Sequence, residues 1–495
     1  MSKPKSLLLV TVDCLRADHT GFMGYKRPTT PFLDQLAAES MVFPKAIAAG
    51  APTYYSFPAI LASRFPLALG REVVGIAPGE STLATALQGA GYRTAACVAG
   101  NPFLSRRFGY AQGFEVFQDF LSEKLPLAGD QTHRARTRLN QKISELAHKR
   151  SSLGRLYDEL YLQYCQRIAL PTAETWESLR RFPAADVLVD EACAWLNSIG
   201  DEPFFLWLHF MDPHAPYYPP AQALEAMGSG HITPERGRYL NAVWNSGLGA
   251  RRLRKSREEI VALHDAGIRW VDRQLARLAD SLRESSRWDR CVFALTADHG
   301  EEFLDHGEPF HSPSRAYQEI LHVPLLMRVP GGKKQALSDA PFSLIHLAPT
   351  ILGALNVDAL DEFEGRNHWP DMLVGQGWDL AVSESIGACS NPMDSEKRMK
   401  GRVLAIQDHR FKLIIDFDQA TENLFDLESD PRELRPLRLD EQKNVRGRLL
   451  CAALNHLDRQ QSERRRDSAL RARVEQFGLE WSQSKMHSDS GVMTN

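Results

Sequence analysis

The sequence predicts an α/β fold: a three-layer sandwich around a large, mostly parallel mixed sheet, followed by a small C-terminal antiparallel-sheet subdomain. Apolar segments such as LLLVTVD and PFFLWLHFM have the composition of buried strands, and they alternate with helical segments such as ADVLVDEACAWLNSI. Strands that alternate with helices form parallel sheets covered on both faces. Near the C-terminus, GRVLAIQDHRFKLIIDF and ENLFDLESDPREL indicate strands joined by turns, which predicts the antiparallel unit.

The other elements are assigned in the same way along the chain. TPFLDQLAAES and STLATALQGAGY have helical spacing, and RTAACVAG after them is a strand. The helix DAGIRWVDRQLARLADSLRES precedes two strands, CVFALTAD and HVPLLMRVPG. We therefore expect a large α/β domain at 1–375 with a charged helical insertion at 121–183. The small antiparallel subdomain follows at 376–437, and a helical tail with a frayed end at 438–495.

Composition excludes several classes of protein. The chain has 495 residues, 43% of them hydrophobic and 24% charged, with a net charge of −3. These values are typical of a globular protein and give no basic field for nucleic acid. The seven cysteines form no CxxC pair, which indicates reduced thiols and a cytoplasmic protein. The first apolar run ends at Asp13 and is too short to insert into a membrane. Oligomeric state stays open.

Polar side chains follow three of the predicted strands. LLLVTV ends in Asp13, CVFALTA ends in Asp298 and His299, and PFFLWLHFMDP leads into His214. Ligands of open parallel sheets bind at the carboxyl ends of the strands. Carboxylates and imidazoles that meet there suit a divalent metal such as zinc or manganese. Each Asp taken alone has a simpler explanation as a cap or turn residue.

Thr53 is the candidate nucleophile. It lies in GAPTYYSFPAILASRFP, directly before an apolar stretch with helical character. The N-terminus of a helix offers free N–H groups and the positive end of the dipole, which suits an anionic ester. A simple N-cap role for Thr53 is compatible with this one, because a capping hydroxyl would also face the site.

Five ordered motifs resemble the sulfatase family. VTVDCLRADHTGFMGY with TTPFLDQLAAESMVFPKAIA resembles the family's opening, and TADHGEEFLDHG its second metal motif. YQEILHVPLLMRVPG, SLIHLAPTILGAL and RFKLIIDF…ENLFDLESDPREL resemble the strand, helix and C-terminal subdomain that follow. The likeness extends from about Ser6 to Leu434. It implies a metal-dependent ester hydrolase of the alkaline phosphatase superfamily.

The sequence also departs from the sulfatase pattern. The Cys/Ser-x-Pro-x-Arg motif, whose Cys or Ser is converted to formylglycine, corresponds here to 53–57, TYYSF. Asn101 begins the Asn-Pro-Phe segment that replaces an expected Lys-x-His pair, and Cys14 replaces a second metal-binding Asp. What remains is similar to the members of the superfamily with a threonine nucleophile. Cys14 is either a soft metal ligand or a small buried side chain.

This resemblance assigns the site residues. It implies that Asp13, Thr53, Asp298 and His299 bind one or two divalent ions, with zinc or manganese favoured and calcium or magnesium as alternatives. Thr53 would also attack the ester, and His214 and His311 would be the catalytic histidines near the ester oxygens.

Arg16, Asn101 and His306 are the candidate substrate-binding residues. Two of them have a structural alternative, which is a loop salt bridge for Arg16 and a packed turn for His306. His209 is interpreted as a core histidine, because it lies on a buried strand.

The predicted function is hydrolysis of a phosphate ester or diester through Thr53. The substrate would be a small-molecule or glycan ester, without nucleic acid or membrane insertion. A sulfuric ester hydrolase that works without formylglycine, a phosphotransferase and a non-catalytic binding relative are the alternatives.

Overall fold

The computed structural model describes residues 5–121, 175–246, 250–331, 340–373 and 380–460. Most of the predicted insertion at 121–183 and the end of the predicted tail lie outside these ranges. No helix in the described ranges has the length and apolarity needed to cross a membrane.

Sixteen strands are present in the described ranges. They are β1 Ser6–Val12, β2 Met41–Val42, β3 Ala46–Ile47, β4 Arg93–Val98, β5 Val116–Gln118, β6 Phe204–Phe210, β7 Cys291–Ala297, β8 Glu302–Phe303, β9 Pro309–Phe310, β10 His322–Val323, β11 Leu325–Arg328, β12 Phe342–Ser343, β13 Ala381–Ile386, β14 Arg402–Gln407, β15 Phe411–Asp416 and β16 Thr421–Asp426.

The α-helices of the same ranges are α1 Pro31–Ala37, α2 Thr53–Ala62, α3 Leu83–Gly89, α4 Trp176–Leu179, α5 Ala185–Ser198, α6 Ala221–Ala226, α7 Pro234–Ser246, α8 Ala250–Glu284, α9 Gln318–Leu321, α10 Leu347–Leu355, α11 Trp369–Leu373, α12 Ser395–Arg398 and α13 443–460.

The large sheet is mixed and mostly parallel, as predicted. Its strand order is β2-β11-β7-β1-β6-β4-β5. The strands from β7 to β5 pair in parallel, whereas β11 and β2 are antiparallel to their neighbours. Every residue of β1, β6 and β7 is buried, which explains their continuous apolar sequences. One group of helices includes α1, α5 and α8, and another includes α2, α3 and α10, so both faces are covered.

The segment HVPLLMRVPG was predicted as one strand, and it forms two. His322–Val323 pairs with β3 in a separate three-stranded sheet, whereas Leu325–Arg328 joins the large sheet. Pro324 lies between them, and proline cannot donate a ladder hydrogen bond. The chain therefore changes sheets at this residue.

The C-terminal unit is a four-stranded antiparallel sheet in the order β13-β14-β15-β16. The three predicted strands are confirmed, and β13 is an addition that the sequence analysis missed. Leu404, Leu413 and Leu424 form its buried core with Leu449 and Ala453 of α13. This second small core explains why the C-terminal strands and helix stay together.

His306 links the turn after β8 to the segment that follows β16. Its Nδ1 lies 2.5 Å from Glu319 Oε1, and its Nε2 donates to the Glu433 carbonyl over 3.1 Å. The ring stacks on Tyr317 with centroids 3.7 Å apart. Burial lowers the pKa of His306, but the hydrogen bond and charge of Glu319 outweigh it and raise this pKa. The imidazolium therefore stabilises the contact between the two parts of the molecule.

Replacing His306 with Ala should lower the free energy of unfolding by about 2 kcal/mol, the size of a hydrogen bond to a charged group. Because folding raises the pKa, this stabilisation is complete below the unfolded value of 6.5 and is lost as the pH rises through the folded value. Melting temperatures of both proteins, measured from pH 6 to pH 9, should converge as the pH rises. His231→Ala, at an exposed histidine, is the control, and a gap that widens with pH would contradict the prediction.

Candidate active site

Two carboxylates lie side by side where the central strands end. Strands β1 and β7 pair in parallel with Val12 opposite Ala297, so Asp13 and Asp298 leave the sheet at the same level. Both side chains are fully buried. Burial raises the pKa of Asp298, and the charge of Asp13 raises it further. The sheet register thus concentrates negative charge at one point.

Three histidines compensate part of this charge. Burial alone would raise the pKa of Asp13, but His214, His209 and His299 hold it well below its usual range. The Nε2 atom of His209 lies 3.5 Å from Asp13 Oδ2, and that of His299 lies 3.7 Å from Asp13 Oδ1. The surrounding histidines therefore favour the charged form of Asp13 more strongly than that of Asp298.

Thr53 brings its hydroxyl to the same place. It is the first residue of α2 and is buried. Its Oγ1 donates to Asp13 Oδ2 over 3.4 Å and lies 3.3 Å from His299 Nε2. The next turn of the helix is fixed by Ser56, whose hydroxyl donates to the Asp298 carbonyl over 2.6 Å. Thr53 lies at a helix N-terminus as predicted, but it is the first helical residue and not the N-cap, which is Pro52. Its hydroxyl makes no capping bond and faces the carboxylates.

Asn101 holds Asp13 from the other side. Its Nδ2 donates to Asp13 Oδ2 over 3.2 Å, and its Oδ1 accepts from the Phe103 backbone over 3.0 Å. The amide begins the 3₁₀ turn Pro102–Leu104. Asn101 therefore orients a carboxylate and a loop at once.

The site histidines have one ring nitrogen fixed and one available. His299 Nδ1 lies 2.8 Å from the Gly300 carbonyl, and His214 Nδ1 lies 2.5 Å from the Ala215 carbonyl. A carbonyl can only accept, so both Nδ1 atoms donate to these carbonyls and each Nε2 is directed away from them. Metal-binding histidines characteristically have this arrangement.

His311 is held by a carboxylate. Its Nδ1 lies 2.8 Å from Glu301 Oε1, and Tyr217 donates to Glu301 Oε2 over 2.9 Å. Glu301 is fully buried. Burial raises its pKa, but the His311 charge and hydrogen bond outweigh this and lower it. The His311 ring lies 4.4 Å from that of His299 and 5.3 Å from that of His214.

Cys14 sits between these groups. Its Sγ donates to Asp13 Oδ1 over 3.2 Å and lies 3.4 Å from His311 Nδ1. Its backbone φ is 59°, a left-handed conformation that non-glycine residues adopt at a cost. Burial and nearby carboxylates, Glu301 first, raise the pKa of the thiol. Cys14 is buried, as a structural side chain would be, and its Sγ also lies beside side chains that could bind a metal ion.

The residues present fit a divalent cation. Asp13, Cys14 and His299 form one group with ligand atoms within 4.8 Å of one another, and Cys14, His214 and His311 form a second. Asp298 Oδ2 and His209 Nε2 are buried without a hydrogen-bond partner in the described structure. Such atoms are costly unless something satisfies them. Mixed carboxylate and imidazole donors suit zinc or manganese.

A cavity of about 480 Å³ opens onto this cluster. Thr53, Asn101, His214 and His311 lie at its polar end. It therefore has room for an ester beside the hydroxyl and the histidines.

Arg16 and His306 lie apart from the cluster. Arg16 is buried and binds Asp18 and Asp305, each over 2.8 Å. His306 is occupied by the contacts with Glu319 described above. Both follow their structural alternatives, and neither lines the cavity with Thr53.

Three residues of the site were missed from the sequence. His209 is a core histidine, but its Nε2 faces Asp13. Glu301 and Tyr217 support His311 from positions far apart in the chain. Only Glu301 had a local signal, because it directly follows Asp298-His299-Gly300.

Comparison with known proteins identifies the family. The chain matches the family described as Sulfatase over residues 5–357, well over half its length. Residues 310–460 match the family described as N-sulphoglucosamine sulphohydrolase, C-terminal. An arylsulfatase of Clostridium perfringens is 25% identical over 474 residues, covering 87% of this chain and 90% of that protein.

Solved structures share the fold. One similar chain was solved in complex with its substrate D-glucosamine-2-N,6-O-disulfate; it has a TM-score of 0.67 and 17% identity, with 92% of this chain and 98% of that chain covered. The phosphonate monoester hydrolase of Agrobacterium radiobacter has a TM-score of 0.63 and 19% identity, with 93% and 96% covered. The family match together with the shared fold leads to one conclusion: the chain belongs to the sulfatase family of the alkaline phosphatase superfamily.

Proposed function

We propose that the protein is a metal-dependent hydrolase that cleaves a phosphate ester or diester through Thr53. The observation that carries the proposal is the position of the Thr53 hydroxyl. It lies at a helix N-terminus, within 3.4 Å of both Asp13 and His299. A hydroxyl among metal-type ligands, facing a cavity, is the arrangement of an activated nucleophile.

Asp13, Asp298, His299 and Thr53 would hold the first ion. Cys14, His214 and His311 offer donors for a second. When bound, a divalent cation would supply Lewis-acid stabilisation for the nucleophile and for the non-bridging ester oxygens. His209 and Asn101 would keep Asp13 oriented toward this position.

The chemistry of the chain's own residues is a two-step displacement. Thr53 passes its hydroxyl proton to Asp13 Oδ2, its hydrogen-bond acceptor, and its oxygen attacks phosphorus, which displaces the alcohol and leaves the phosphoryl group on Thr53. His214 or His311 protonates the leaving oxygen, since both line the cavity. Water then attacks phosphorus and gives a proton to the deprotonated histidine, and the Thr53 oxygen leaves and takes back the proton from Asp13. The product is phosphate from a monoester and a phosphate monoester from a diester. General acid catalysis of this kind contributes about 10²- to 10⁴-fold in rate.

Sulfate ester hydrolysis is the second candidate. Its support is the arylsulfatase of Clostridium perfringens, which is similar along most of the chain. Against it, Thr53 replaces the residue that becomes formylglycine. The phosphonate monoester hydrolase with the same fold supports phosphorus chemistry.

Turnover of three nitrophenyl esters by the metal-supplemented protein separates the candidates. We expect release of nitrophenol from the phosphate monoester or diester, and little from the sulfate. Hydrolysis of the sulfate alone would favour the second candidate and refute ours. Absence of turnover on all three esters would count against both and favour a non-catalytic relative.

Replacing Thr53 with Ala should lower kcat about 10³-fold or more, because no other hydroxyl lies between Asp13 and His299 in the described site. Steady-state kinetics on the best nitrophenyl ester measures the loss. Thr53→Ser keeps the hydroxyl and should retain part of the activity. An unchanged kcat in a folded Thr53→Ala protein would rule out the nucleophile.

Removing metal should lower the melting temperature as well as the activity. Without a cation, Asp13 and Asp298 are adjacent buried carboxylates, and a ligand present at 100 times its dissociation constant adds about 2.7 kcal/mol of stability. Thermal unfolding of EDTA-treated protein, with and without added Zn²⁺ or Mn²⁺, measures the shift.

The Asp298→Asn variant should lose most of the metal-dependent shift, because one ligand charge is removed. Asp190→Asn is the matched control, since this exposed carboxylate pairs with Arg277 on the surface. If added metal raised the melting temperature of both variants equally, the assignment of Asp298 as a metal ligand would be wrong.

A further inference from the structure

Aromatic rings form much of the cavity wall beyond the polar end. Tyr54, Phe103, Phe120 and Phe182 all line it. The rings of Tyr54 and Phe103 are 5.4 Å apart and edge-on. Phe182 meets the His214 ring edge-on at 5.7 Å, so the aromatic wall begins next to a proposed catalytic histidine. A group attached to the reacting ester oxygen would contact these rings.

Two of the polar side chains that line the cavity, Tyr54 and Asn101, are already hydrogen-bonded, and the exposed Ser390 is a third polar side chain there. Tyr54 donates its hydroxyl to the Cys389 carbonyl over 2.5 Å. Both ends of the Asn101 amide are bound, to Asp13 and to the Phe103 backbone. A sugar needs hydrogen-bond partners for its hydroxyls, and binding is weak where they are missing. The described wall favours a flat apolar group instead.

Arg181 provides a positive charge at the cavity rim. Its side chain lines the cavity and is exposed. Other arginines of the same region are bound, as Arg180 is to the Tyr218 carbonyl over 3.0 Å. Within the described ranges, no carboxylate lies at ion-pair distance from Arg181. An unpaired guanidinium beside an aromatic wall suits a carboxylate or phosphate on the far side of a ring.

We propose that this cavity selects esters of aromatic alcohols that carry a second anionic group, with Phe103 and Phe182 contacting the ring and Arg181 the anion. The proposal rests on the proposed function for the reacting ester group. The substrate class is inferred from the residues of this chain. The proposed substrate differs from the amino sugar disulfate bound by a protein with the same fold.

Binding of non-hydrolysable phosphonates to the metal-supplemented full chain tests it by calorimetry. The probes are methylphosphonate, phenylphosphonate, 4-carboxyphenylphosphonate and the phosphonate isostere of glucose 6-phosphate. Phenylphosphonate should bind about tenfold more tightly than methylphosphonate, as expected for ring contacts. The carboxylate should add about fivefold, the value of a partly exposed ion pair. The sugar phosphonate should bind no better than methylphosphonate.

Two variants assign these increments to residues. Phe182→Leu keeps apolar volume and should reduce the phenyl-to-methyl ratio about threefold or more. Arg181→Gln should bring the ratio between the carboxylated and plain phenylphosphonates close to one. Arg107→Gln, at an exposed arginine outside the cavity, should leave that ratio as in the unmodified protein.

Several outcomes would overturn the inference. They are tighter binding of the sugar phosphonate than of phenylphosphonate, a carboxylate increment that survives Arg181→Gln, or no binding of any probe. Turnover of the nitrophenyl phosphoesters by a protein that binds phenylphosphonate no more tightly than methylphosphonate would refute the inference alone. An aryl preference without turnover of any ester would refute the proposed function alone.

Discussion

Two buried carboxylates at neighbouring strand ends are the constraint on which the site depends. The parallel register of β1 and β7 fixes Asp13 beside Asp298, and neither side chain reaches solvent. Like charges buried together raise the free energy of the folded state unless opposite charge or hydrogen-bond donors surround them. The histidines, Thr53 and Asn101 around the pair supply such charge and hydrogen bonds.

These surrounding residues lie on segments that other parts of the fold must hold in place. Strand β13 of the C-terminal sheet supports two of these segments. Ser383 donates to the Ala48 carbonyl, just before the Thr53 helix, and Ser385 donates to the Pro313 carbonyl, just after His311, each over 2.5 Å. The small sheet therefore buttresses both the proposed nucleophile and a proposed acid.

The close contact between β13 and the loop before Thr53 requires glycine at position 50. A Cβ atom there would lie 2.5 Å from the Glu384 carbonyl oxygen, so only glycine allows the loop before Thr53 to approach β13 this closely. Glu384 itself is buried and accepts from the Leu67 backbone over 2.9 Å. A charged residue inside a short strand explains why the sequence analysis did not identify β13.

The sequence predicted the site residues that have a local signal and missed those whose role depends on contacts between distant parts of the chain. The strand ends at Asp13, Asp298 and His299 could be identified because apolar runs stop at these polar residues. The carboxyl ends of parallel strands meet at one edge of the sheet, which brings these residues together. The roles of His209 and Tyr217 depend on which buried side chains from distant parts of the chain face each other. Spacing along the chain carries no signal for such contacts, so these residues required the structure.

Asn101 links the departure from the sulfatase pattern to the chemistry of the site. Where the resemblance leads one to expect a lysine, the amide binds Asp13 and the Phe103 backbone and adds no charge. The 53–57 segment likewise ends in Phe57, which is buried against His209 with ring centroids 5.0 Å apart. In the proposed mechanism, positive charge beside Thr53 would then come from the histidines and from the cations that the site would hold. Arg181 lines the same cavity and is exposed, and in the proposal above it recognises a different part of the substrate.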